Sequence, residues 1–457
     1  MSRCAGILMS ISSLPSPYGI GTIGQAAYDF ADFLKAAGQK IWQILPVGPT
    51  SYGDSPYQSF STYAGNPYFI DLDFLVRDGL LTEKDLEGRK WGENPEEVDY
   101  AQIYETRFDV LRCAFKRFKK SDADYKAFVK ENADWLENYA LYMSVKKNND
   151  MKAWTEWADE DIKLRKPEAV ANYTKELKPE IDFWKFVQFI FYKQWADFRA
   201  YVNSLGIQIM GDMPIYVAMD SADTWANSEV FWLDEEKLPV CVAGCPPDYF
   251  SATGQLWGNP LYNWEYLKET NYKWWFARIK SASNLFDIVR IDHFRAFDSY
   301  YAIPYPAENA IVGEWLAGPG IEFFVKMKEA IGDFPIVAED LGTITDGVRQ
   351  LRHHRLRGVY LRRTAPYSKR TEGAKARASC FGASVPGDLL PQDQIHREGT
   401  EEGEASLPHD DRERWVAEGR HRPAKDAVRL RAGGLRRGDQ NGDLRRRSHQ
   451  QGDRRLL

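Results

Sequence analysis

Short apolar runs alternate with amphipathic stretches along the first 350 residues of the chain. Helical spacing of apolar residues occurs at 26–37, 272–282 and 320–331. The apolar runs have the length of buried strands and fall at residues 6–10, 41–45, 207–210, 286–291 and 334–338. Strands that alternate with helices predict a parallel sheet, either a barrel or a doubly wound sheet.

A long, mostly helical insertion is predicted at about residues 80–200. Its apolar residues step by four, three, four and three positions at Tyr104, Phe108, Leu111, Phe115 and Phe118. A second apolar helix is predicted at 183–198 and ends before Gly206. The charged faces of these helices are expected to face solvent.

Composition narrows the possible partners. Aromatic residues make up 14% of the chain, which fits either a large aromatic core or a cleft where rings stack on sugars. A net charge of −6 gives no support for nucleic acid or an anionic membrane as partner, and no apolar stretch is long enough to span a membrane. The five scattered cysteines predict no disulfide framework, which favours a cytoplasmic location. Cys241 and Cys245 lack the further ligands that a structural zinc site requires.

The composition changes abruptly near residue 351. Residues 1–350 contain 24 Lys and 12 Arg, whereas residues 351–457 contain 3 Lys and 21 Arg. The first segment carries 51 acidic residues and a charge of −15, and the second carries 15 and a charge of +9. Residues 353–457 are therefore predicted to form a separate Arg-rich tail.

Three hypotheses explain the tail. It could be a basic, disordered arm for nucleic acid, or a second small domain, although no clear helical or strand periodicity supports the latter. A shift of reading frame in the coding DNA is favoured, because it explains why Lys gives way to Arg all at once. Whatever its origin, the tail is too polar to bury much surface, and disorder is expected.

Three predicted strands end in acidic residues. Asp212 follows the third strand, Asp292 the fourth and Glu339 the fifth. Any one of them alone would be interpreted as a helix N-cap. Acids just past the carboxyl ends of three successive parallel strands lie where barrel enzymes place their active sites.

Two of these acids suit the chemistry of a retaining glycosidase. That chemistry needs an ionised carboxylate as nucleophile and a protonated carboxyl about 5–5.5 Å away as acid/base. Arg290 lies two positions before Asp292, so both side chains point to the same face of the strand and the guanidinium can keep Asp292 ionised. Asp292 is therefore predicted to be the nucleophile and Glu339 the acid/base.

At these residues the chain resembles glycoside hydrolase family 77, the 4-α-glucanotransferases, also called amylomaltases or disproportionating enzymes. Val-Arg-Ile-Asp-His-Phe-Arg at 289–295 and Ile-Val-Ala-Glu-Asp-Leu-Gly at 336–342 resemble the family's nucleophile and acid/base segments. The resemblance covers about residues 5–352. Other segments resemble the family's strand ends, its substrate loops and the flexible loop over its cleft, at 13–21, 43–50, 53–61, 64–68, 211–217 and 246–260.

The resemblance implies a TIM-type (β/α)8 barrel with helical insertions that transfers part of an α-1,4-glucan to a sugar 4-hydroxyl, with retention. It implies no metal and no cofactor, and its substrates are α-1,4-glucans and malto-oligosaccharides. By this match Asp292 is the nucleophile and Glu339 the acid/base. The remaining matched residues are expected to bind sugar, namely Arg290, His293, Asp212, Trp257, Tyr57 and Ser55.

One family segment is missing from this sequence. The family's third aspartate lies in a His-x-Asn-Asp segment, and the nearest string here is His409-Asp410-Asp411, whose neighbours are charged. The match stops near residue 352, so about five of eight barrel strands are expected in residues 1–352. An open sheet of this kind exposes two strand edges, which predicts an unstable and inactive chain. Alternatives are an α-amylase-like hydrolase, a non-catalytic glucan-binding remnant and a nucleic-acid-binding protein.

Overall fold

The computed structural model describes residues 4–51, 53–339, 345–353 and 359–361. Strands in this part of the chain belong to one parallel and one antiparallel sheet. In chain order they are β1 Gly6–Leu8, β2 Ile41–Gln43, β3 Gln208–Met213, β4 Cys241–Cys245, β5 Gln255–Pro260, β6 Ile288–Ile291, β7 Ser299–Pro304, β8 Glu314–Ala317, β9 Ile336–Ala338 and β10 Val359–Leu361.

Helices cover the parallel sheet and form most of the insertion. In chain order they are α1 Gln25–Ala36, α2 Leu72–Arg77, α3 Glu83–Leu86, α4 Tyr100–Arg117, α5 Ala123–Glu131, α6 Ala133–Asn148, α7 Glu160–Lys163, α8 Pro167–Glu176, α9 Lys178–Ser204, α10 Ala222–Ala226, α11 Trp264–Glu269, α12 Lys273–Leu285, α13 Gly320–Ile331 and α14 Asp346–His353. Short 3₁₀ helices lie at Ile11–Ser13, Pro67–Phe69, Trp154–Glu156, Ser228–Val230 and Phe294–Phe297.

The parallel sheet has the strand order β1-β2-β3-β6-β9-β10. All five predicted strands are present, and every neighbouring pair is parallel. A sixth strand, β10, corrects the expected number of about five, and it lies in the segment assigned to the tail. Its three residues stand between arginines, so they are too short a run to be recognised by apolar pattern. The rest of the predicted tail, from residue 362, lies outside the described residues.

Register places the acidic strand ends side by side. Asp212 of β3 lies directly opposite Arg290 of β6, and Ile291 of β6 lies opposite Ala338 of β9, the residue before Glu339. Parallel strands all run in the same direction, so their carboxyl ends meet at one edge of the sheet. The sheet therefore brings the three predicted acids into one place.

Helices occupy most of the segment that was predicted to be a helical insertion, and α9 is the longest of them at 27 residues. Pro179 stands in its first turn, where the missing N–H costs nothing, and Gly206 follows its end with φ 75°. The side-chain amides of two glutamines on α9 bind the backbone of the segment that precedes α2. Gln188 bonds both the N–H and the C=O of Gly65 at 2.7 and 2.9 Å, and Gln194 bonds those of Asp71 at 2.8 and 3.0 Å.

The antiparallel sheet, of order β5-β4-β7-β8, is absent from the prediction. Residues 246–260 were expected to form a loop, but Gln255–Pro260 is strand β5 and pairs with β4. β4 reads Cys-Val-Ala-Gly-Cys and β5 contains Gly258 and Pro260, so neither segment has the alternating pattern that identifies a strand. Residues 246–254 remain irregular and carry the exposed rings of Tyr249 and Phe250.

Buried aromatic and aliphatic side chains of the parallel sheet, of the helices that cover it and of the helical segment form one large core. On α1 the buried residues Ala27, Ala31 and Leu34 follow helical spacing, as the sequence pattern predicts. Within the described residues, no helix is both long enough and apolar enough to span a membrane.

Candidate active site

Arg290 is the centre of a cluster of three carboxylates at the carboxyl end of the parallel sheet. Its Nη1 lies 2.5 Å from Asp212 Oδ1 and 3.1 Å from Asp292 Oδ1, and its Nη2 donates to Glu339 Oε1. The guanidinium is rigid and planar, so its two terminal nitrogens fix how far apart these carboxyls lie. The three acids and the arginine singled out from the sequence therefore form one group.

Backbone hydrogen bonds fix the strand ends that carry Asp292 and Glu339. The N–H of Asp292 donates to Met213 O at 3.0 Å, and the N–H of Glu339 donates to Ile291 O at 3.1 Å. Glu339 Oε2 also accepts the backbone N–H of His293 at 2.7 Å. The acid/base candidate is thus held by a side chain and by a main-chain donor from the neighbouring strand end.

One guanidinium cannot neutralise three carboxylates, and this imbalance alters their ionisation. Burial and the adjacent Asp292 charge raise the pKa of Glu339 to about 7. Burial and the charge of Asp212 also raise the pKa of Asp292, while Arg290 acts against this rise. Glu339 is the carboxyl that holds a proton near neutral pH, which suits a general acid.

Asp212 is the most deeply buried of the three acids, with its side chain 1% exposed. It accepts a hydrogen bond from the Tyr57 hydroxyl at 2.9 Å, in addition to the bond from Arg290. Burial raises the pKa of Asp212, and Arg290 opposes that rise. The hydroxyl of Tyr57, desolvated and next to this carboxylate, has a pKa well above its usual range and stays a donor.

His293 and Trp257 form a wall beside the carboxylates. His293 has a left-handed backbone, with φ 51°, an uncommon conformation that is often found at functional sites. Its ring meets Trp257 edge to face, with centroids 4.8 Å apart. Burial, followed by the charge of Arg295, lowers the pKa of His293 to about 4, so its imidazole is neutral near pH 7.

Among the described residues, Ser55 joins this cluster only through Tyr57. Its hydroxyl accepts the backbone N–H of Tyr57 at 3.3 Å, and its C=O accepts the N–H of Gln58 at 3.1 Å. It therefore shapes the turn that presents Tyr57.

Sequence reasoning missed a polar link between the substrate loop and β5. Gln58 Nε2 donates to Asn259 Oδ1 at 3.2 Å, and Asn259 Nδ2 donates to Val217 O at 2.9 Å. Both residues lie in segments that carry the family resemblance. Neutral amides suggest no chemistry by themselves, so only their shared location in those segments could have identified them.

No group of three or more His, Cys, Asp or Glu side chains that could hold a metal ion occurs in the part of the chain that the structure describes. The carboxylates of the cluster are instead occupied by Arg290, Tyr57 and the His293 N–H. A parallel α/β sheet with paired carboxyls at its carboxyl end is typical of enzymes that act on glycosidic bonds.

Comparison with known proteins agrees with this class. The sequence profile of glycoside hydrolase family 77, described as 4-alpha-glucanotransferase, matches residues 9–367. A 4-alpha-glucanotransferase from Streptococcus pneumoniae is 52% identical over 352 residues, which is 77% of this chain and 70% of the relative. One from Clostridium butyricum is 47% identical over 387 residues, which is 84% of this chain and 76% of the relative.

The structural comparison gives the same result. An amylomaltase from Streptococcus agalactiae, solved in complex with acarbose, superimposes with a TM-score of 0.75 and 45% identity, covering 77% of this chain and 71% of that one. The chain belongs to the 4-alpha-glucanotransferase family, glycoside hydrolase family 77.

Proposed function

We propose that this chain transfers a segment of an α-1,4-glucan to the 4-hydroxyl of an acceptor sugar through a covalent glycosyl-enzyme. The observation that carries the proposal is the contact of Arg290 with both Asp292 and Glu339. Two carboxyls that share one guanidinium lie close together. Retaining enzymes need such a close pair, with the carboxyls about 5–5.5 Å apart. A wider pair, with room for a water between the carboxyls, would instead favour inversion.

In the first step Asp292 attacks the anomeric carbon of the donor glucan. Its Oδ forms the new C–O bond while the bond to the leaving sugar breaks, and Glu339 donates its proton to the leaving oxygen. The raised pKa of Glu339, about 7, keeps that proton available. Arg290 holds Asp292 at 3.1 Å and favours its ionised form.

In the second step Glu339, now ionised, takes the proton from the acceptor 4-hydroxyl. The acceptor oxygen attacks the anomeric carbon, the ester bond to Asp292 breaks, and the product keeps the original configuration. The irregular segment 246–254 lies before β5, the strand of Trp257, and its rings are available to cover the cleft. Excluding water while admitting a sugar hydroxyl favours transfer over hydrolysis.

The remaining matched residues are proposed to bind the sugar at the point of cleavage. Asp212 supports this subsite by holding Arg290 and the Tyr57 hydroxyl, whose oxygen can accept from a sugar hydroxyl, and the neutral His293 offers a donor and an acceptor. Trp257 presents an aromatic face for stacking on the acceptor side. Ser55 is proposed to bind glucan more weakly, from the turn before Tyr57.

An aromatic groove of about 670 Å³ fits a long glucan as substrate. It lies between the substrate loop and the helices α4, α6 and α9. Aromatic rings and scattered polar groups are the surface that a chain of pyranose rings requires. The rings that line it are Phe60, Tyr68, Tyr100, Tyr104, Phe108, Tyr139 and Trp184.

We propose that the parallel sheet is part of a (β/α)8 barrel. Leu8 on the edge strand β1 is 54% exposed and Phe33 on α1 is 56% exposed, as expected where a further strand and helix would pack. We also expect the protein to act in the cytoplasm, without nucleic acid or membrane as partner, as its cysteine content and charge indicate.

The products formed from maltotriose test the proposed function. Transfer yields glucose together with oligosaccharides longer than maltotriose, whereas an α-amylase-like hydrolase yields only shorter products. A binding remnant would retain maltotriose unchanged. We expect transfer to be slow, because the sequence contains no His-x-Asn-Asp segment. Exclusively shorter products would contradict the proposal, and fast transfer would contradict the predicted inactivity of the chain.

A further inference from the structure

We propose that Arg278 is a positioning residue that fixes Asp212 and Tyr57 from behind the active site. This inference rests on the proposed function, since it concerns the residues placed around the sugar. Arg278 lies on α12 and is 2% exposed, so it touches no substrate. Its importance follows from the segments that it connects.

All three nitrogens of the Arg278 guanidinium are used. Nε donates to Thr62 Oγ1 at 2.6 Å, Nη1 donates to Ile215 O at 2.9 Å, and Nη2 donates to Pro214 O. The Tyr262 hydroxyl, 3.0 Å from Nη1, donates to the same Ile215 carbonyl at 2.7 Å. The guanidinium therefore holds two successive carbonyls and two hydroxyls, those of Thr62 and Tyr262, in a fixed geometry.

The two carbonyls belong to the segment that leaves β3. Pro214 and Ile215 are the second and third residues after Asp212. Between them and Asp212 stands Met213, whose C=O accepts the N–H of Asp292 at 3.0 Å. A shift of this segment would therefore displace Asp212 and disturb the hydrogen bond that fixes Asp292.

The Thr62 hydroxyl belongs to the loop that carries Tyr57. Thr62 is held twice, since its N–H donates to the buried Asp223 at 2.8 Å and its Oγ1 accepts from Arg278. Tyr57, five residues earlier, donates to Asp212. Both partners of the Tyr57–Asp212 hydrogen bond are thus tied to one guanidinium, and this shared anchor sets their relative position.

A role in packing alone does not explain a buried arginine here. Within the described residues no carboxylate lies within ion-pair distance of Arg278, and the buried Asp223 attracts the guanidinium only from farther away, so burying this charge is costly. The Trp275 ring, 4.9 Å from the guanidinium, offsets part of that cost by a cation–π contact. The hydrogen bonds to the two active-site segments are what an apolar residue could not supply.

Arg199 provides a matched control at the other end of the same strands. It also donates to backbone carbonyls, Asn284 O at 2.7 Å and Phe286 O at 3.1 Å, and it pairs with Asp287. It lies beside the amino ends of β3 and β6, away from the carboxylates. Arg199→Lys is therefore expected to lower stability and to leave the positions of Asp212 and Tyr57 unchanged.

The test compares Arg278→Lys, Arg199→Lys, Thr62→Val and Thr62→Ser in the full chain. Turnover of α-maltotriosyl fluoride gives kcat and KM, and thermal unfolding gives Tm. We expect Arg278→Lys and Thr62→Val to lower kcat by roughly 10- to 100-fold with a much smaller change in KM, as small displacements of catalytic groups do. Thr62→Ser keeps the acceptor for Nε and should retain kcat within about twofold. Arg199→Lys should lower Tm and leave kcat unchanged.

The inference is overturned if kcat falls equally in Arg278→Lys and Arg199→Lys, or if Thr62→Val keeps full activity. If the parent chain shows no turnover, the proposed function fails and the inference is judged by hydrogen exchange at the Thr62 amide. Faster exchange in Arg278→Lys than in the parent and in Arg199→Lys supports the shared anchor. Equal exchange in all three contradicts it.

Discussion

Two partly buried arginines stabilise the two ends of the same pair of strands in different ways. At the amino end, Arg199 meets one carboxylate, Asp287, which also accepts from Asn203 at 2.7 Å and from the Ile209 N–H at 2.8 Å. At the carboxyl end, Arg290 meets three carboxylates. The first cluster is balanced in charge, whereas the second has an excess of negative charge.

This difference separates a structural cluster from a functional one. A balanced ion pair with its remaining hydrogen bonds satisfied joins β3 to β6 and needs no further explanation. An excess of carboxylates raises the pKa of both Glu339 and Asp292, which costs stability. The raised pKa of Glu339 provides a proton donor at neutral pH, whereas Arg290 opposes the rise at Asp292 and favours the ionised form that a nucleophile requires. Removing a carboxylate is therefore expected to raise stability at the carboxyl end of the strands and to lower it at the amino end.

The largest effect is expected from Asp292→Asn. Loss of the nucleophile should reduce turnover of α-maltotriosyl fluoride by roughly 10⁴-fold or more. Since the variant also removes one of three crowded negative charges, Tm should rise. Kinetics and thermal unfolding measured together check both parts. Asp287→Asn, the same chemical change at the amino end of β6, is the control, and turnover retained by Asp292→Asn would refute its role.

The second-largest loss of activity is expected from Glu339→Gln, which should lower transfer from maltotriose by about 10²–10⁴-fold. The first step with α-maltotriosyl fluoride should be largely retained, because fluoride leaves without being protonated. Burst kinetics of fluoride release from α-maltotriosyl fluoride and of glucose release from maltotriose measure this difference. Glu322→Gln, on the exposed side of α13, is the matched control. Equal losses with both donors would exclude Glu339 as the acid.

The pH dependence should follow the raised pKa of Glu339, about 7. Transfer from maltotriose should fall about tenfold per pH unit above 7, since the acid must be protonated. Stability from the same group is fully present below about pH 4.5, the usual value for Glu, and is lost as pH rises through about 7. Subtracting the Tm-against-pH curve of Glu339→Gln from that of the parent isolates this contribution. A difference that grows with pH would contradict the raised pKa.

The smallest effect on activity is expected from Asp287→Asn. Losing a charged acceptor for Arg199, Asn203 and Ile209 should cost about 1.5–3 kcal/mol of unfolding free energy. The kcat of transfer should stay within about twofold, because the carboxylate cluster lies at the opposite end of β6. Urea unfolding and maltotriose kinetics measure both quantities. A large loss of kcat with little loss of stability would show that the two ends are not independent.

The parallel strands and the acids could be predicted because their signals are local. Each strand is a short apolar run, and Asp212, Asp292 and Glu339 follow three of these runs directly. The family segments added the expected role of each residue. Within the described part of the chain the predicted site residues lie together, with Trp257 and Ser55 joined to the cluster only through His293 and Tyr57.

The antiparallel sheet and the supporting hydrogen bonds could not be predicted, because their signals are not local. β4 and β5 are strands only by virtue of their pairing, and their sequences contain Gly, Pro and Cys rather than alternating apolar residues. Arg278 reaches Thr62 across 216 positions of sequence. A charged residue next to Trp275 and Ile279 on a buried helix face was the available signal, and it indicates burial without naming the partner.

The central claim is that Asp292 forms the glycosyl-enzyme while Glu339 acts as acid and base. Incubating Glu339→Gln with α-maltotriosyl fluoride tests it most directly, because this variant can form the ester but lacks the base that activates the acceptor. Intact mass spectrometry followed by peptide mapping should find one maltotriosyl group, attached to Asp292. No adduct, or an adduct on Asp212 instead, would contradict the account.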